Sequence, residues 1–584
     1  MTMQRNLYRD ALPMSGLYQF TTDPNGIGEA ERWFDGLPAA RPIAVPASWN
    51  EQYQDLDDYC GTAWYERREF VPEAWRSRRI VLRVGAAAYL AKVWVNGTFA
   101  GEHEGGCLPF EFDVTGLLEC GQENRFVFSV DAAQHPDRLP PGNFPPSEWL
   151  GPWQGQHPAN NYDFYPYGGL HRPVYLLAVP IGRIVSVRVT TQLDAGRARV
   201  ACAIAADTAA FDRIEILLDG ERKAEVPGGA RTGEAAFELP DPVLWEPGRP
   251  HLYRLTARAI QGGQPADEYT VAIGLRTVAV EGGQLLLNGK PVFLKGFGKH
   301  EDFAISGKGL NEPVMIKDYN LLNWIGANSY RTSHYPYSEE MLDLADRLGV
   351  LVIDESPLVG LMRRHYDAGT LERCKVLLDE MIARDRNHPS VIMWSVANEP
   401  TSNEPAAGPF FKALYDHVRA LDASRPVTMA TCYGLDDVAV GHFDVISLNK
   451  YYGWYSHPGQ LEEGERQLAV ELEAWRARHN KPILITEFGA DAVAGMHHDP
   501  PRQWTEEYQA EMLTRQYRLF AKTPGIIGAH VWAFADFKTS QIYMRVLLNH
   551  KGVFTRERQP KLAAHALKKL WTEPGARTNE TETS

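Results

Sequence analysis

The apolar residues of this chain fall into two textures. From Thr62 to about Pro180, short runs alternate apolar and polar positions, as at 80–84, 91–95 and 126–130, and Asn96-Gly97 and Gly105-Gly106 break them. A period of two marks strands buried on one face, so this stretch predicts an all-β domain. A second series runs from about Ile184 to Val278, with turns at Leu218-Asp219-Gly220 and Pro227-Gly228-Gly229. It predicts a smaller β-sandwich of ~95 residues. Past Gly282, strand-like apolar runs at 292–296, 327–331, 350–353, 391–396, 427–430, 445–448, 483–485 and 527–532 alternate with amphipathic stretches such as 338–348, 371–387, 409–422, 464–479 and 505–521. Eight strands with helices between them over ~290 residues predict a (β/α)8 TIM barrel, with its working face at the strands' C-terminal ends. The expected domains are 1–180, 181–278 and 279–584, and the polar tail after Trp571 should fray.

Composition narrows the function. At 584 residues the chain is too long for one core, and with 44% apolar and 11% aromatic residues it is too apolar for wholesale disorder. A formal net charge of −14 with no Lys/Arg block argues against nucleic-acid or anionic-membrane partners. The N-terminus lacks an apolar leader and no window resembles a membrane span, so a cytoplasmic protein is expected. Its six cysteines stand singly without CxxC pairing, which suggests reduced thiols rather than disulfides or zinc. No cofactor is implied.

Two carboxylates each follow an apolar barrel run directly: Glu399 in Ala397-Asn398-Glu399-Pro400 and Glu487 in Ile485-Thr486-Glu487. Such a glutamate often caps a helix or pairs with an arginine. By position, however, these two close the fourth and seventh strands, where a retaining glycosidase would need an acid/base and a nucleophile about 5 Å apart. Asn398 adds a group able to bond a sugar hydroxyl beside the reacting carbon. His300, Glu301, Asp302, Arg331, His334, Tyr335, Asp354, Glu355, Asn449, Tyr451, Tyr455, Trp532 and Asp536 also fall just past strands. A mouth ringed by aromatics and carboxylates suits carbohydrate.

These runs, with Gly298-Lys299-His300-Glu301-Asp302, Ile325 to Tyr337 (IGANSYRTSHYPY), Tyr451-Tyr452-Gly453-Trp454, Gly168-Gly169-Leu170-His171-Arg172 and Leu244-Trp245-Glu246-Pro247, resemble the signature sequences of glycoside hydrolase family 2. The resemblance covers most of the chain. It implies a jelly-roll sugar-binding-like domain, an immunoglobulin-like sandwich and a TIM barrel, with Glu399 as acid/base and Glu487 as nucleophile. The late run Arg545-Val546-Leu547-Leu548-Asn549-His550-Lys551 resembles the Asn-x-Lys motif of the family's uronate-cleaving members. Lys551, Asn549 and Arg545 would then hold a C6 carboxylate at short range, which an acidic protein must arrange locally. Asp163 would reach the C4 hydroxyl, with His300, Asn398, Asn449, Tyr451, Tyr455 and Trp532 lining the pocket. Retaining, exo-acting hydrolysis of β-D-glucuronides is the implied activity, in a homo-oligomer, dimer or tetramer. Two departures stand out. Segment 356–370 is short where some members carry a flap, implying an open aglycone side, and Leu547-Leu548 replaces an expected Gly-Gly.

Other readings are a β-D-galacturonidase or a β-galactosidase of the same family, a metal-dependent barrel hydrolase using His300, His334, His497 or His498, and a non-catalytic carbohydrate-binding protein. No HExxH or similar pair supports the metal reading. Glucuronide and galacturonide differ only in the orientation of O4, which one contact such as that of Asp163 could decide.

Overall fold

The structure is a computed structural model describing residues 3–144, 155–194 and 196–572. Apart from Thr572, the tail expected to fray lies outside the described residues. Residues 10–179 form two facing antiparallel sheets. One holds Asp10–Pro13, Val174–Val179, Arg79–Val84 and Phe110–Asp113, and the other six strands from Gly16–Asp23 to Gln122–Asp131. The period of two is explained along Gln122–Asp131: Phe126, Phe128 and Val130 enter the core between the sheets, while Val127 faces a separate cluster of Trp33, Trp64 and Trp94. The second domain packs a three-stranded against a four-stranded sheet over residues 184–273, around Val200, Cys202, Ile216 and Ala257.

Eight parallel strands close a barrel: Leu294–Gly298, Ser329–Arg331, Leu351–Glu355, Val391–Asn398, Val427–Thr431, Ile446–Asn449, Ile483–Glu487 and Ile526–Trp532. Each overlaps a predicted run. Covered inside by side chains and outside by helices, such strands read as continuous apolar text. Helices Glu339–Leu348, Ala368–Asp385, Ala407–Leu421, Leu461–His479 and Glu506–Lys522 match the predicted stretches, and Ser338 and Thr505 cap two of them by accepting from Met341 N and Tyr508 N. Two further helices, Glu312–Ile325 and Leu562–Thr572, pack against each other, and Trp571 of the latter lies on Phe297 of the first strand. All six cysteines are free. No helix among the described residues is long and apolar enough to cross a membrane.

A seam beneath the barrel joins it to the second domain. Trp245, fully buried, donates through Nε1 to the Asp346 carbonyl at 2.8 Å. The Asp346 carboxylate accepts from Ser390 N at 3.0 Å and contacts His388 Nδ1 at 2.6 Å. Burial would lower the His388 pKa, but the Asp346 charge outweighs it and raises it to about 9. A raised histidine stabilises the fold fully below its unfolded pKa, and the benefit disappears as pH climbs through about 9. His388→Gln should therefore lower the thermal midpoint most near pH 6, by an effect on the order of 2 kcal/mol. In a pH series of melting curves the gap from wild type should narrow toward pH 10; a constant gap would refute the linkage.

Candidate active site

The two glutamates meet at the C-terminal mouth of the barrel, Glu487 buried and Glu399 half-buried. Glu487 ends the seventh strand. Glu399 follows the fourth with φ +46°, a left-handed conformation costing a non-glycine residue on the order of 1 kcal/mol, and its N–H donates to the Ala430 carbonyl at 2.9 Å. That turn stops the strand and fixes where the carboxyl leaves it. Glu399 Oε1 accepts from Asn449 Nδ2 at 2.7 Å, and Thr486 Oγ1 donates to Asn449 Oδ1 at 2.7 Å.

Glu487 has stronger partners. Arg331 Nη2 donates to its Oε1 and the Tyr451 hydroxyl to its Oε2 at 2.6 Å. Arg331 Nη1 also donates to both oxygens of Glu355 at 2.7 Å and to Asn398 Oδ1 at 3.4 Å. Ser395 Oγ donates to Glu355 Oε2 at 2.7 Å, and His334 Nδ1 lies 2.8 Å from its Oε1.

Burial raises both carboxyls. Glu487 reaches about 8 against the pull of the Arg331 guanidinium, with the Glu399 charge adding to the rise, while Glu399 rises against its Asn449 amide bond. Interacting groups of this kind titrate as a pair, and near neutrality the pair retains one proton. Glu487 receives a cation and a phenol where Glu399 receives a neutral amide, and those bonds pull the Glu487 pKa down against its burial.

A second constellation lies beside the pair. Arg545 grips Asp163 through Nε at 3.0 Å and Nη2 at 2.5 Å, and Asn549 Nδ2 donates to the same carboxylate at 2.9 Å. Lys551 Nζ donates to Asp491 and, at 3.0 Å, to the Tyr455 hydroxyl, which also accepts from Arg545 Nη2 at 2.9 Å. Two of the three ammonium donors are thus engaged. Asp163 reaches the mouth because its first-domain loop is tied down on both sides: Asn160 Nδ2 donates to Ser540 Oγ at 2.9 Å, Asn161 Nδ2 to the Gly360 carbonyl at 2.8 Å, and Tyr165 N to the Lys538 carbonyl at 3.0 Å.

His300 is buried, with Nδ1 3.1 Å from the Tyr335 hydroxyl, Nε2 without a partner among the described residues, and a pKa lowered well below normal by burial and by neighbouring His334 and cations. It is a neutral imidazole. Trp532 stacks on His334 at 4.9 Å. The two catalytic and ten substrate-binding candidates named from the sequence therefore lie in or beside this mouth.

Four features differ from the sequence expectation or lie outside it. Arg545 commits its fork to Asp163, so its contribution is chiefly to hold that carboxylate. Leu547 adopts φ +68° with its side chain exposed: the turn that glycine takes freely is kept by leucine, and Leu548–Asn549 still pairs with Phe537–Lys538. Asp491 was not foreseen; its only signal is its position four residues past Glu487. Arg331, Glu355 and His334 were read as rim residues, and the structure makes them the scaffold of Glu487. Segment 356–370 packs down against the fourth strand and the first domain, through Leu358 O to Asn398 N at 3.0 Å and His365 Nε2 to Pro136 O at 2.8 Å.

Two carboxyls, both raised in pKa by desolvation, at the ends of strands four and seven and beside a cluster of amide and cationic donors form a glycosidase site. The family model "Glycosyl hydrolases family 2, TIM barrel domain" matches residues 278–574, the sugar binding domain model 12–180, and a third family 2 model 182–276. The chain belongs to glycoside hydrolase family 2. It is 42% identical to a β-glucuronidase of Paenibacillus borealis over 97% of this chain and 98% of that relative, and 41% identical to the dog enzyme of the same name over 96% and 91%. Among solved structures it resembles the β-D-glucuronidase of Dictyoglomus thermophilum (TM-score 0.89, 41% identity, 98% of each chain). It also resembles the Ruminococcus gnavus β-glucuronidase in complex with D-glucaro-d-lactam (TM-score 0.91, 37% identity, 98% and 99%).

Arg331→Gln should remove the group that holds the Glu487 pKa down. The acidic limb of kcat/KM for glycoside hydrolysis should move to higher pH, and kcat/KM at pH 7 should fall by at least about a hundredfold. Arg331→Lys, which keeps a charge, should shift the limb less. A limb unmoved in Arg331→Gln would mean that the guanidinium does not set this charge.

Proposed function

We propose that this chain is a retaining, exo-acting β-glucuronidase using Glu487 as nucleophile and Glu399 as acid/base. Glu487 forms a bond to the anomeric carbon as the bond to the aglycone oxygen breaks, and that oxygen takes the Glu399 proton. Water then gives its proton to Glu399 and its oxygen to the anomeric carbon, releasing Glu487. Once the Glu487 charge is consumed in the ester, the Glu399 pKa falls, converting it from acid to base. Asn398 is placed beside both carboxyls, where a bond to the 2-hydroxyl would strengthen in the transition state. His300, Asn449, Tyr451 and Trp532 shape the pocket around the pair.

The observation that carries the substrate is the joined network of Asp163, Arg545, Asn549, Tyr455, Lys551 and Asp491. On a pyranose the C6 carboxylate sits on C5, next to the C4 hydroxyl, so residues holding the two must themselves be neighbours. Here Asp163, the O4 candidate, accepts from Asn549 of the carboxylate clamp. Relatives about 40% identical over nearly the whole chain carry the name β-glucuronidase. Free cysteines fit a reducing compartment, and a cytoplasmic homo-oligomer rests on that and on the family likeness.

The test is hydrolysis of p-nitrophenyl β-D-glucuronide beside the β-D-galacturonide, β-D-glucoside and β-D-galactoside, with Lys551→Ala in parallel. Wild type should prefer the glucuronide, and Lys551→Ala should lose about two orders of magnitude in kcat/KM on uronides only, as expected for a charge-assisted bond. Equal cleavage of the neutral galactoside, or a uniform loss on all four substrates, would contradict the clamp.

A further inference from the structure

At the opposite end of the barrel, a cleft of about 720 Å³ opens between the second domain and the loops that precede the fourth and fifth strands. Its charged lining consists of Arg188, Arg276, Arg386, Arg425 and a single acid, Asp422. Asp422 is already saturated. Its Oδ1 accepts from Ser424 N at 2.8 Å and Ser424 Oγ at 2.6 Å, and its Oδ2 from Arg425 Nη1 at 2.6 Å and Trp394 Nε1 at 3.0 Å. Arg425 is likewise complete, with Nε on the Val391 carbonyl and Nη2 on those of Arg386 and His388.

The other three arginines have no carboxylate within ion-pair distance among the described residues. Arg276, nine-tenths buried, meets only main-chain carbonyls, Pro389 O at 2.9 Å and Val391 O at 2.7 Å. Burial and the charge of Arg425 together lower its pKa to about 9, and burial, Arg188 and Arg425 lower that of Arg386. Arg386 donates to the Leu421 carbonyl, and Arg188 is exposed on the strand Ile184–Asp194 of the facing domain. The walls are pinned together: Asn387 accepts from Val189 N at 3.0 Å and donates to the Val187 carbonyl at 2.7 Å.

Holding the barrel's own loops accounts for Arg425, and cementing the two domains accounts for the main-chain bonds of Arg276. Neither accounts for Arg188 and Arg386 facing each other with no carboxylate at ion-pair distance among the described residues, the Asp422 charge that offsets Arg386 from further away being already bonded to Arg425. In a protein of net charge −14 such a concentration of unneutralised guanidinium is a local reversal of the molecular field. Guanidinium forks suit carboxylate and phosphate oxygens, and the volume is that of a small-molecule site.

We propose that this cleft binds a small compound carrying at least two oxyanion groups, phosphate or carboxylate, between Arg188 and Arg386 at the rim and Arg276 at the floor. The site is separate from the catalytic mouth and does not depend on the reading of the substrate.

Calorimetric titration of the full chain at low salt, with inorganic pyrophosphate and separately with digalacturonate, tests it. One equivalent should bind, and Arg188→Glu/Arg386→Glu should weaken that binding at least about tenfold, the scale of one lost charge-assisted contact. Arg188→Glu alone, at an exposed position, should weaken it less and serves as the folded control. Glucuronide hydrolysis by both variants should stay within about twofold of wild type, because neither residue touches the catalytic mouth. Binding of pyrophosphate alone would mark a phosphate compound, and binding of digalacturonate alone a uronate. No binding of either, or binding unchanged in the double variant, would overturn the proposal.

Discussion

The active site is organised around one buried guanidinium. Arg331 is fully shielded from water, and a charge so placed is tolerated only when its donors meet well-oriented acceptors. It meets two carboxylates, Glu355 and Glu487, and the carbonyl of Asn398, which ties the ends of strands two, three, four and seven into one arrangement. One cation between two carboxylates leaves a net negative charge at the mouth. In the retaining reaction proposed above, positive charge develops on the anomeric carbon, and such an excess of negative charge would favour that oxocarbenium-like transition state. The Arg331 charge also pulls the Glu487 pKa down against burial.

Specificity is built differently. The clamp contains two cations and two aspartates and so carries little net charge, and long-range attraction cannot draw a uronate to an acidic protein. What the clamp offers is fixed direction: Lys551 is held between Asp491 and Tyr455, and Asn549 and Arg545 are held on Asp163. Because Asp163 comes from the first domain, the barrel does not complete the site alone. The bonds from Asn160, Asn161 and Tyr165 to barrel loops fix the jelly-roll loop that brings Asp163 to the barrel mouth.

Much of this was legible in the sequence, for physical reasons that differ by element. Barrel strands buried on both faces appear as apolar runs, and most carry a candidate residue at or just past the C-terminal end, so Glu399, Glu487, Asn449 and Trp532 could be placed by position alone. Helix Glu312–Ile325 escaped because it packs both inward and against Leu562–Thr572, so its apolar residues are spread around the axis rather than confined to one stripe. The partners of Glu487 were the harder part. Arg331 and Glu355 stand 24 positions apart, and nothing in local periodicity announces that they bond. Asp491 likewise becomes meaningful only when the chain brings Lys551 to it from 60 positions away. The Leu547-Leu548 departure looked like a threat to the clamp, yet only the backbone angle matters at Leu547, and a leucine with its side chain in solvent can adopt it.

The most direct test of the account is to trap the covalent intermediate. A 2-deoxy-2-fluoro-β-D-glucuronyl fluoride should react once per chain, since the fluorine at C2 slows both formation and hydrolysis of the glycosyl ester while the good fluoride leaving group restores the rate of formation alone. Peptide mass spectrometry should then place the sugar on Glu487, the carboxylate that Arg331 bonds. A label on Glu399 would reverse the assignment of the two carboxyls. No label, together with release of the α-anomer from a β-glucuronide, would contradict the double-displacement mechanism itself.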